Sequence, residues 1–337
     1  MSEIQLFENS FIYIIIFPII SFLLGVLFNY EIRKVSARLQ SRRGPWLLVP
    51  KSLRKTMGTT RLLQPLYDVL KLLFKQSIIP ETARSKLFIG APFIALFCLF
   101  AASILTPLAG YFAFSPFELS LVVLLYLLLA IPFTFILGGA VSSSPWGVVG
   151  SQREAELMLA YETPLVIGAF TIAIMADSLS LHEILKFQFS NYPFLILNPF
   201  AAIAVIFGIV GKLHLKPFDI PEAEVEIVAG PSTEFSGKLL GILEIDKILL
   251  TSVSVALFIN LFLAGGAIPG MQHYRMLTVL FFLLEGFLII CFVTLIHTLN
   301  PRLRIDQALR WYVKIPIMLA VLGLVWAYFV RYFIIAM

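Results

Sequence analysis

Seven acids crowd the stretch between Lys212 and Lys247: Asp219, Glu222, Glu224, Glu226, Glu234, Glu244 and Asp246. Carboxylates at this density can take up and release protons near neutral pH, because burial raises their pKa values and close neighbours couple their titrations. The spacings of three and four predict that Asp219, Glu222 and Glu226 share one helical face, with Glu224 turned elsewhere. Interleaved Val225, Ile227 and Val228 argue against a freely solvated acidic run. Gly230-Pro231 is expected to break this helix, and Ser232 or Thr233 to cap a new one carrying Glu234 in its first turn. A second acidic group is Glu154, Glu156 and Glu162, with Tyr161-Glu162-Thr163-Pro164 placing a carboxylate just before a helix-bending proline. Glu285 falls within an apolar run, where a charged carboxylate costs about 2.5–3.5 kcal/mol, so it must be protonated, paired or facing internal water.

Other chemistries lack their residues. A zinc or iron site would want histidine or cysteine beside the acids. His182, His214, His273 and His297 stand alone without ligand spacing and read as solvated or interfacial side chains. Cys98 and Cys291 both lie in apolar runs with no CxxC spacing, which excludes a disulfide framework and an iron–sulfur site. No glycine-rich phosphate loop and no nucleophile with an adjacent base is present. The expectation is a proton relay with no cofactor bound by this chain, any redox centre belonging to a partner.

The elements that must position these acids are apolar. At 59% hydrophobic residues, 13% charged residues and a mean hydropathy of +0.94, the chain lies outside the range of water-soluble domains. The predicted fold class is all-α, a polytopic membrane protein with eight spans: 11–28, 88–109, 117–140, 157–176, 194–211, 248–264, 277–297 and 313–333. Each approaches the roughly 20 residues that a bilayer core requires. This division puts 22 of the 25 Lys and Arg residues on one side, leaving Lys186, Arg275 and Arg331 on the other. Basic loops mark the cytoplasmic face. Residues 30–86, 141–156, 212–247 and 298–314 are therefore expected in the cytoplasm, with both termini outside and the chain a single plasma-membrane unit. Glu3 and Glu8, with no basic residue before the first apolar run, argue against a cleavable signal peptide. The net charge of +5 reflects this bias and not a nucleic-acid partner.

Two loops are too patterned to be plain connectors. In 30–86, Leu62, Leu66, Val69, Leu70 and Leu73 recur at helical spacing with Lys71 and Lys75 between them, which predicts an amphipathic helix at headgroup level. Arg42-Arg43-Gly44-Pro45-Trp46 supplies a basic turn before an interfacial tryptophan, suited to anionic lipid, to a docked subunit, or to both. The other loop is the acidic one. Its two segments meeting at a break resemble the discontinuous helices that carry polar groups to membrane depth.

Taken together, several segments resemble the membrane component that joins the peripheral and membrane arms in the complex I superfamily, known as subunit 1, or the H-type subunit, of NADH:quinone oxidoreductase. They are Arg43-Gly44-Pro45, Leu63-Gln64-Pro65 with Asp68 and Lys71, Tyr161-Glu162, and Pro217-Phe218-Asp219-Ile220-Pro221-Glu222-Ala223-Glu224 with Glu226 and Val228-Ala229-Gly230. Thr233-Glu234-Phe235-Ser236-Gly237 and Pro301-Arg302-Leu303-Arg304-Ile305-Asp306-Gln307 continue the match. The resemblance implies an all-helical subunit without a cofactor of its own, docked to a soluble electron-transfer module through its first and third cytoplasmic loops. Glu162, Glu222, Glu224, Glu226 and Glu234 fall on the family's acidic positions, and Arg43, Asp68, Arg302 and Asp306 on its loop positions. Pro231 after Ala229-Gly230, Trp46 after Pro45, and the early acids Glu244 and Asp246 depart from the quinone-reducing pattern. These departures lean toward the equivalent subunit of energy-converting membrane-bound hydrogenases and related ferredoxin-linked complexes.

The expected function is thus the anchoring and coupling subunit of a ferredoxin-linked hydrogenase or sulfur-reducing complex. Its partners would carry iron–sulfur clusters and, in a hydrogenase, a nickel–iron centre, beside antiporter-like membrane subunits. The alternatives are the quinone-chamber subunit of complex I and an independent secondary transporter; no internal inverted repeat supports the last.

Overall fold

A computed structural model describes residues 10–45, 63–112, 117–267 and 275–332, and among them all regular elements but one isolated bridge are helical. The helices are α1 (Ser10–Leu39), α2 (Gln64–Leu73), α3 (Ser85–Leu105), α4 (Ser120–Ala140), α5 (Pro145–Ala176), α6 (Leu181–Ser190) and α7 (Phe194–Leu197). After them come α8 (Pro199–Lys212), α9 (Glu224–Ile227), α10 (Gly237–Phe262), α11 (Arg275–Leu299), α12 (Ile305–Tyr312) and α13 (Met318–Val330). A π-helical turn, Val313–Ile317, joins α12 to α13.

Among the described residues, six segments are long and apolar enough to cross a bilayer: Tyr13–Leu39, Ser85–Leu105, Ser120–Ala140, Pro145–Ala176, Met276–Leu299 and Ile305–Val330. Helix α8 is apolar but shorter. Helix α10 sits at the centre, and every residue from Ile248 to Phe262 is buried. Helices α1, α2 and α3 pack on it, while α5, α8 and α13 pack on one another. The α5–α8 seam is tight because Gly208 stands where a side chain would meet the Leu165 Cβ at 2.8 Å. Small residues allow such close backbone approach.

The structure corrects several expected boundaries. The first span continues to Leu39, so the loop 30–86 begins ten residues later than expected. The fourth begins at Pro145, not residue 157, which turns most of the expected loop 141–156 into helix. Pro145 suits a first helical turn, where no backbone donor is needed. The fifth, expected as one run from 194, is broken between α7 and α8. Pro199 disfavours helix at the residue before it, and the Asn198 side chain accepts from the Ala201 amide at 3.1 Å while donating to the Gly323 carbonyl at 2.8 Å. The last begins at Ile305, which shortens the loop expected at 298–314. The amphipathic segment forms α2, with Val69 buried against α1 and α10. Trp46 and Leu62 lie outside the described residues.

Candidate functional site

The acidic loop is not the pair of helices expected from its spacing. Residues 213–223 run without regular helix, α9 is a single turn, and one 3-10 turn spans Gly230–Ser232. Pro217 and Pro221 each remove a backbone donor and restrict the residue before them, so no helix can carry Asp219, Glu222 and Glu226 on one face. Nor does Ser232 or Thr233 cap a helix bearing Glu234. Helix α10 starts at Gly237, and the Thr233 and Ser232 hydroxyls donate instead to the Gly230 and Ala229 carbonyls at 2.7 and 2.9 Å. Glu244 and Asp246 lie on α10 and not in the loop.

What the loop does is bring its charges onto α5. Glu154 and Glu162 are two turns apart on one face of that helix, and both are buried. Glu162 forms an ion pair with Lys212, the last residue of α8, and the side chains are 8% and 1% exposed. Lys212 also lies over the Tyr161 ring, 5.9 Å from its centroid. The Tyr161 hydroxyl donates to Glu154 Oε1 at 2.7 Å, and His214 Nε2 lies 2.9 Å from Glu154 Oε2. Glu222, eight residues further along the loop, pairs with Lys247 of α10 at 2.7 Å. The result is a ladder of three acid–base pairs, Glu162–Lys212, Glu154–His214 and Glu222–Lys247.

Electrostatics joins the last two rungs. Burial pushes the His214 pKa down, but the charge and contact of Glu154, with Glu222 behind, outweigh it and leave the imidazole above its ordinary value of 6.5; Lys247 opposes. For Glu222, burial pushes the pKa up, and Lys247 and His214 outweigh it, leaving the carboxyl below its usual 4.5. Each group therefore holds its charge because of a specific neighbour. Such an arrangement can move a proton along a chain of paired sites when one charge is altered at its end.

Other expected site residues take different places. Asp219 accepts from two nitrogens of Arg302, Nε at 2.7 Å and Nη2 at 2.6 Å, in a two-pronged clamp. The Leu303 amide donates to the Pro217 carbonyl at 3.1 Å and the Lys216 amide to His297 Nδ1 at 2.9 Å, so the α11–α12 connection straps this loop down. Glu226, half exposed, pairs with Arg153 at 2.6 Å. Glu156 is exposed, and Glu234 and Glu244 are half-buried. The Glu224 side chain lies outside the described ones. Asp68 bonds Arg33 and Gln64 at 2.6 and 2.8 Å. Arg42, Arg43 and Lys71 are exposed near it, and Arg304 and Asp306 are exposed at the start of α12. One oxygen of half-buried Glu285 has no hydrogen-bond partner.

Sequence reasoning overlooks the bases. The positive-inside bias absorbs Lys212 and Lys247, yet each flanks an apolar run next to an acid-rich segment, which is a usable signal. His214, expected to stand alone, is a rung of the ladder. A partly buried pair elsewhere also escapes: the Cys291 thiol donates to Glu31 Oε1 at 3.1 Å, joining α11 to α1. Among the described residues, no group of three or more His, Cys, Asp and Glu is placed to hold a metal ion.

The profile of the NADH dehydrogenase family matches residues 11–328. The chain belongs to this family. The H-type subunit of NADH-quinone oxidoreductase from Bacillus thuringiensis (strain Al Hakam) is 33% identical over 297 residues, covering 86% of this chain and 84% of the relative. Its counterpart in Bacillus cereus (strain AH187) matches to the same extent. Among solved structures, a chain of the membrane-bound sulfane sulfur reductase, an archaeal respiratory membrane complex, superposes with a TM-score of 0.82 at 25% identity, over 95% of this chain and 99% of that one. The expected all-helical membrane architecture and the expected complex I superfamily resemblance both hold. Of the five acids that the resemblance singles out, the structure places Glu162 and Glu222 in the ladder and Glu226 and Glu234 outside it.

Proposed function

We propose that the chain anchors and couples an ion-translocating respiratory oxidoreductase, and that the ladder converts a redox event in a docked soluble module into proton movement. The observation that carries this reading is the row of Glu162–Lys212 and Glu154–His214, buried among the helices, followed by the half-exposed Glu222–Lys247 pair on the loop 212–247. A charge change above the loop 212–247 alters the pairing of Glu222 and His214, and the shift passes to Glu154 and Glu162. Asp246, Glu244, Glu234, Glu226, Glu224 and Glu156 flank this route as further exchangeable carboxylates, while Asp219 keeps the loop in place.

The docking face comprises Arg42, Arg43, Asp68 and Lys71 on one side of the loop and Arg302, Arg304 and Asp306 on the other, with anionic lipid around α2. The partners are peripheral reductase subunits bearing iron–sulfur clusters, a nickel–iron centre if the complex is a hydrogenase, and antiporter-like membrane subunits. The unit lies in the plasma membrane with both termini on the outer side. The similarity to the sulfane sulfur reductase chain supports a ferredoxin-linked, sulfur-reducing or hydrogen-evolving complex, as does Pro231. The 33% identity to quinone oxidoreductase subunits favours quinone reduction as the second reading. Assaying the purified complex with sulfur compounds, protons and quinones separates the two.

The coupling role is tested with Glu162→Gln and Glu222→Gln complexes in proteoliposomes. Electron transfer is expected to persist while ion uptake is lost. Full uptake by both assembled variants would defeat the assignment.

A further inference from the structure

Tyr312, the last residue of α12, is completely buried and touches three parts of the site at once. Its hydroxyl donates to the Phe207 carbonyl of α8 at 2.9 Å, and its ring centroid lies 4.6 Å from that of Phe218, which is equally buried in the acidic loop. Gly211 makes the contact with α8 possible: a side chain there would run into the Tyr312 hydroxyl and would meet the Tyr161 Cβ at 2.7 Å. The hydroxyl thus fills the space beside the residue that directly precedes Lys212. Trp311 adds a second hold, its ring centroid 4.8 Å from Phe207 and 5.2 Å from Phe218.

The placement follows from the chain. Pro316 has no amide for the Tyr312 carbonyl four residues before it, and the helix answers with the π-helical turn Val313–Ile317, which leaves Tyr312 at the junction of α12 and α13. A buried tyrosine hydroxyl needs some partner. The one taken here belongs to the last turn but one of α8, whose position decides where the side chain of Lys212 starts. Lysine has a flexible four-carbon stem, so its ammonium stays on one carboxylate only if the backbone beneath it is fixed.

We propose that Tyr312 is a positioning residue of the ladder, holding the end of α8 so that Lys212 stays on Glu162, and tying that end to the acidic loop through Phe218. Asp219, next to Phe218, is clamped by Arg302, so a displacement of the loop reaches the Glu162–Lys212 rung through these rings as well as through the charges. The positioning role stands on this geometry alone; that it serves ion movement rests on the reading proposed above.

The test compares purified whole complexes. Tyr312→Phe keeps the ring and removes the hydroxyl, whereas Gly211→Ala keeps the hydroxyl and occupies its place. Trp326→Phe is the control, because it removes a similar bond far from Lys212, from the Trp326 indole of α13 to the Leu197 carbonyl at 2.9 Å. Infrared spectroscopy reads the carboxyl band that Glu162→Gln removes, and hydrogen exchange reads the amides of residues 209–213. Tyr312→Phe and Gly211→Ala are both expected to shift that band and to speed exchange there about threefold to tenfold, in line with the net worth of one hydrogen bond. Trp326→Phe should do neither. Should Gly211→Ala fail to assemble, Tyr312→Phe decides alone. An unchanged band with unchanged exchange in Tyr312→Phe, or an equal shift in Trp326→Phe, would overturn the proposal. Neither readout involves ion transport, so this failure is distinct from any failure of coupling.

Discussion

Lys212 and Glu162, 50 residues apart in sequence, close an ion pair across the α5–α8 seam with almost no exposure of either side chain. Two opposite charges taken out of water together are tolerated only while both remain. Removing one partner of a buried pair costs about 3–5 kcal/mol, whereas replacing both with apolar or neutral groups of similar size is far less damaging. Lys212→Met alone is therefore expected to lower the thermal stability of the purified subunit or complex sharply. Lys212→Met with Glu162→Gln should recover much of the loss, and a double variant as unstable as the sum of the singles would contradict the pairing.

The His214 and Glu222 rungs set opposite edges of a pH window. His214 has its folded pKa raised, so its contribution is complete below its ordinary value of 6.5 and fades as pH rises through the raised value. Glu222 has its folded pKa lowered, so its contribution is complete above 4.5 and fades as pH falls through the lowered value. Stability from the two rungs together should be greatest between 4.5 and 6.5. Melting curves across pH check this; His214→Gln should flatten the alkaline edge and, because the imidazolium is one of the charges that lower the Glu222 pKa, soften the acid edge in part.

Arg302 holds Asp219 through two nitrogens, a geometry that lysine cannot reproduce. Charge-assisted hydrogen bonds of this kind contribute about 1.5–3 kcal/mol. Arg302→Gln and Arg302→Lys should both speed amide hydrogen exchange across residues 213–223, with the rest of the bundle unaffected. Unchanged exchange there would show that the strap is held by other contacts.

Gly230 adopts a positive φ of 54°, and a side chain there would run into the Pro221 carbonyl. Backbone strain at such a position costs on the order of 1–3 kcal/mol. Gly230→Ala should lower the melting temperature and disturb the Glu222–Lys247 rung, because Pro221 adjoins Glu222. Wild-type stability in this variant would mean that the turn has room to relax.

Arg33 and Asp68 pair at 2.6 Å but remain 42% and 40% exposed, so the pair itself contributes under about 1 kcal/mol. Asp68→Ala should leave the melting temperature of the isolated subunit nearly unchanged. If α2 helps to seat a soluble module, the same variant should co-purify less of it, and equal recovery would remove Asp68 from the docking face.

Hydropathy and charge by themselves determined that this chain is a helical membrane bundle with its acids on the basic side, since spans of about 20 apolar residues have one solution in lipid. They also singled out Glu162, Glu154 and Glu222 as candidates. Helix ends were less legible: polar first and last turns of α1 and α5 hide helix inside what reads as loop, and Asn198-Pro199 hides a break inside what reads as a span. Only the tertiary structure decided what the acids do. Pro217 and Pro221 stop helix formation where the spacing of Asp219, Glu222 and Glu226 favours it, and the irregular loop that results carries His214 to Glu154 and Glu222 to Lys247. Partners so distant in sequence cannot be read from local spacing, because what pairs a charge is the nearest opposite charge in space, and packing alone chooses that neighbour.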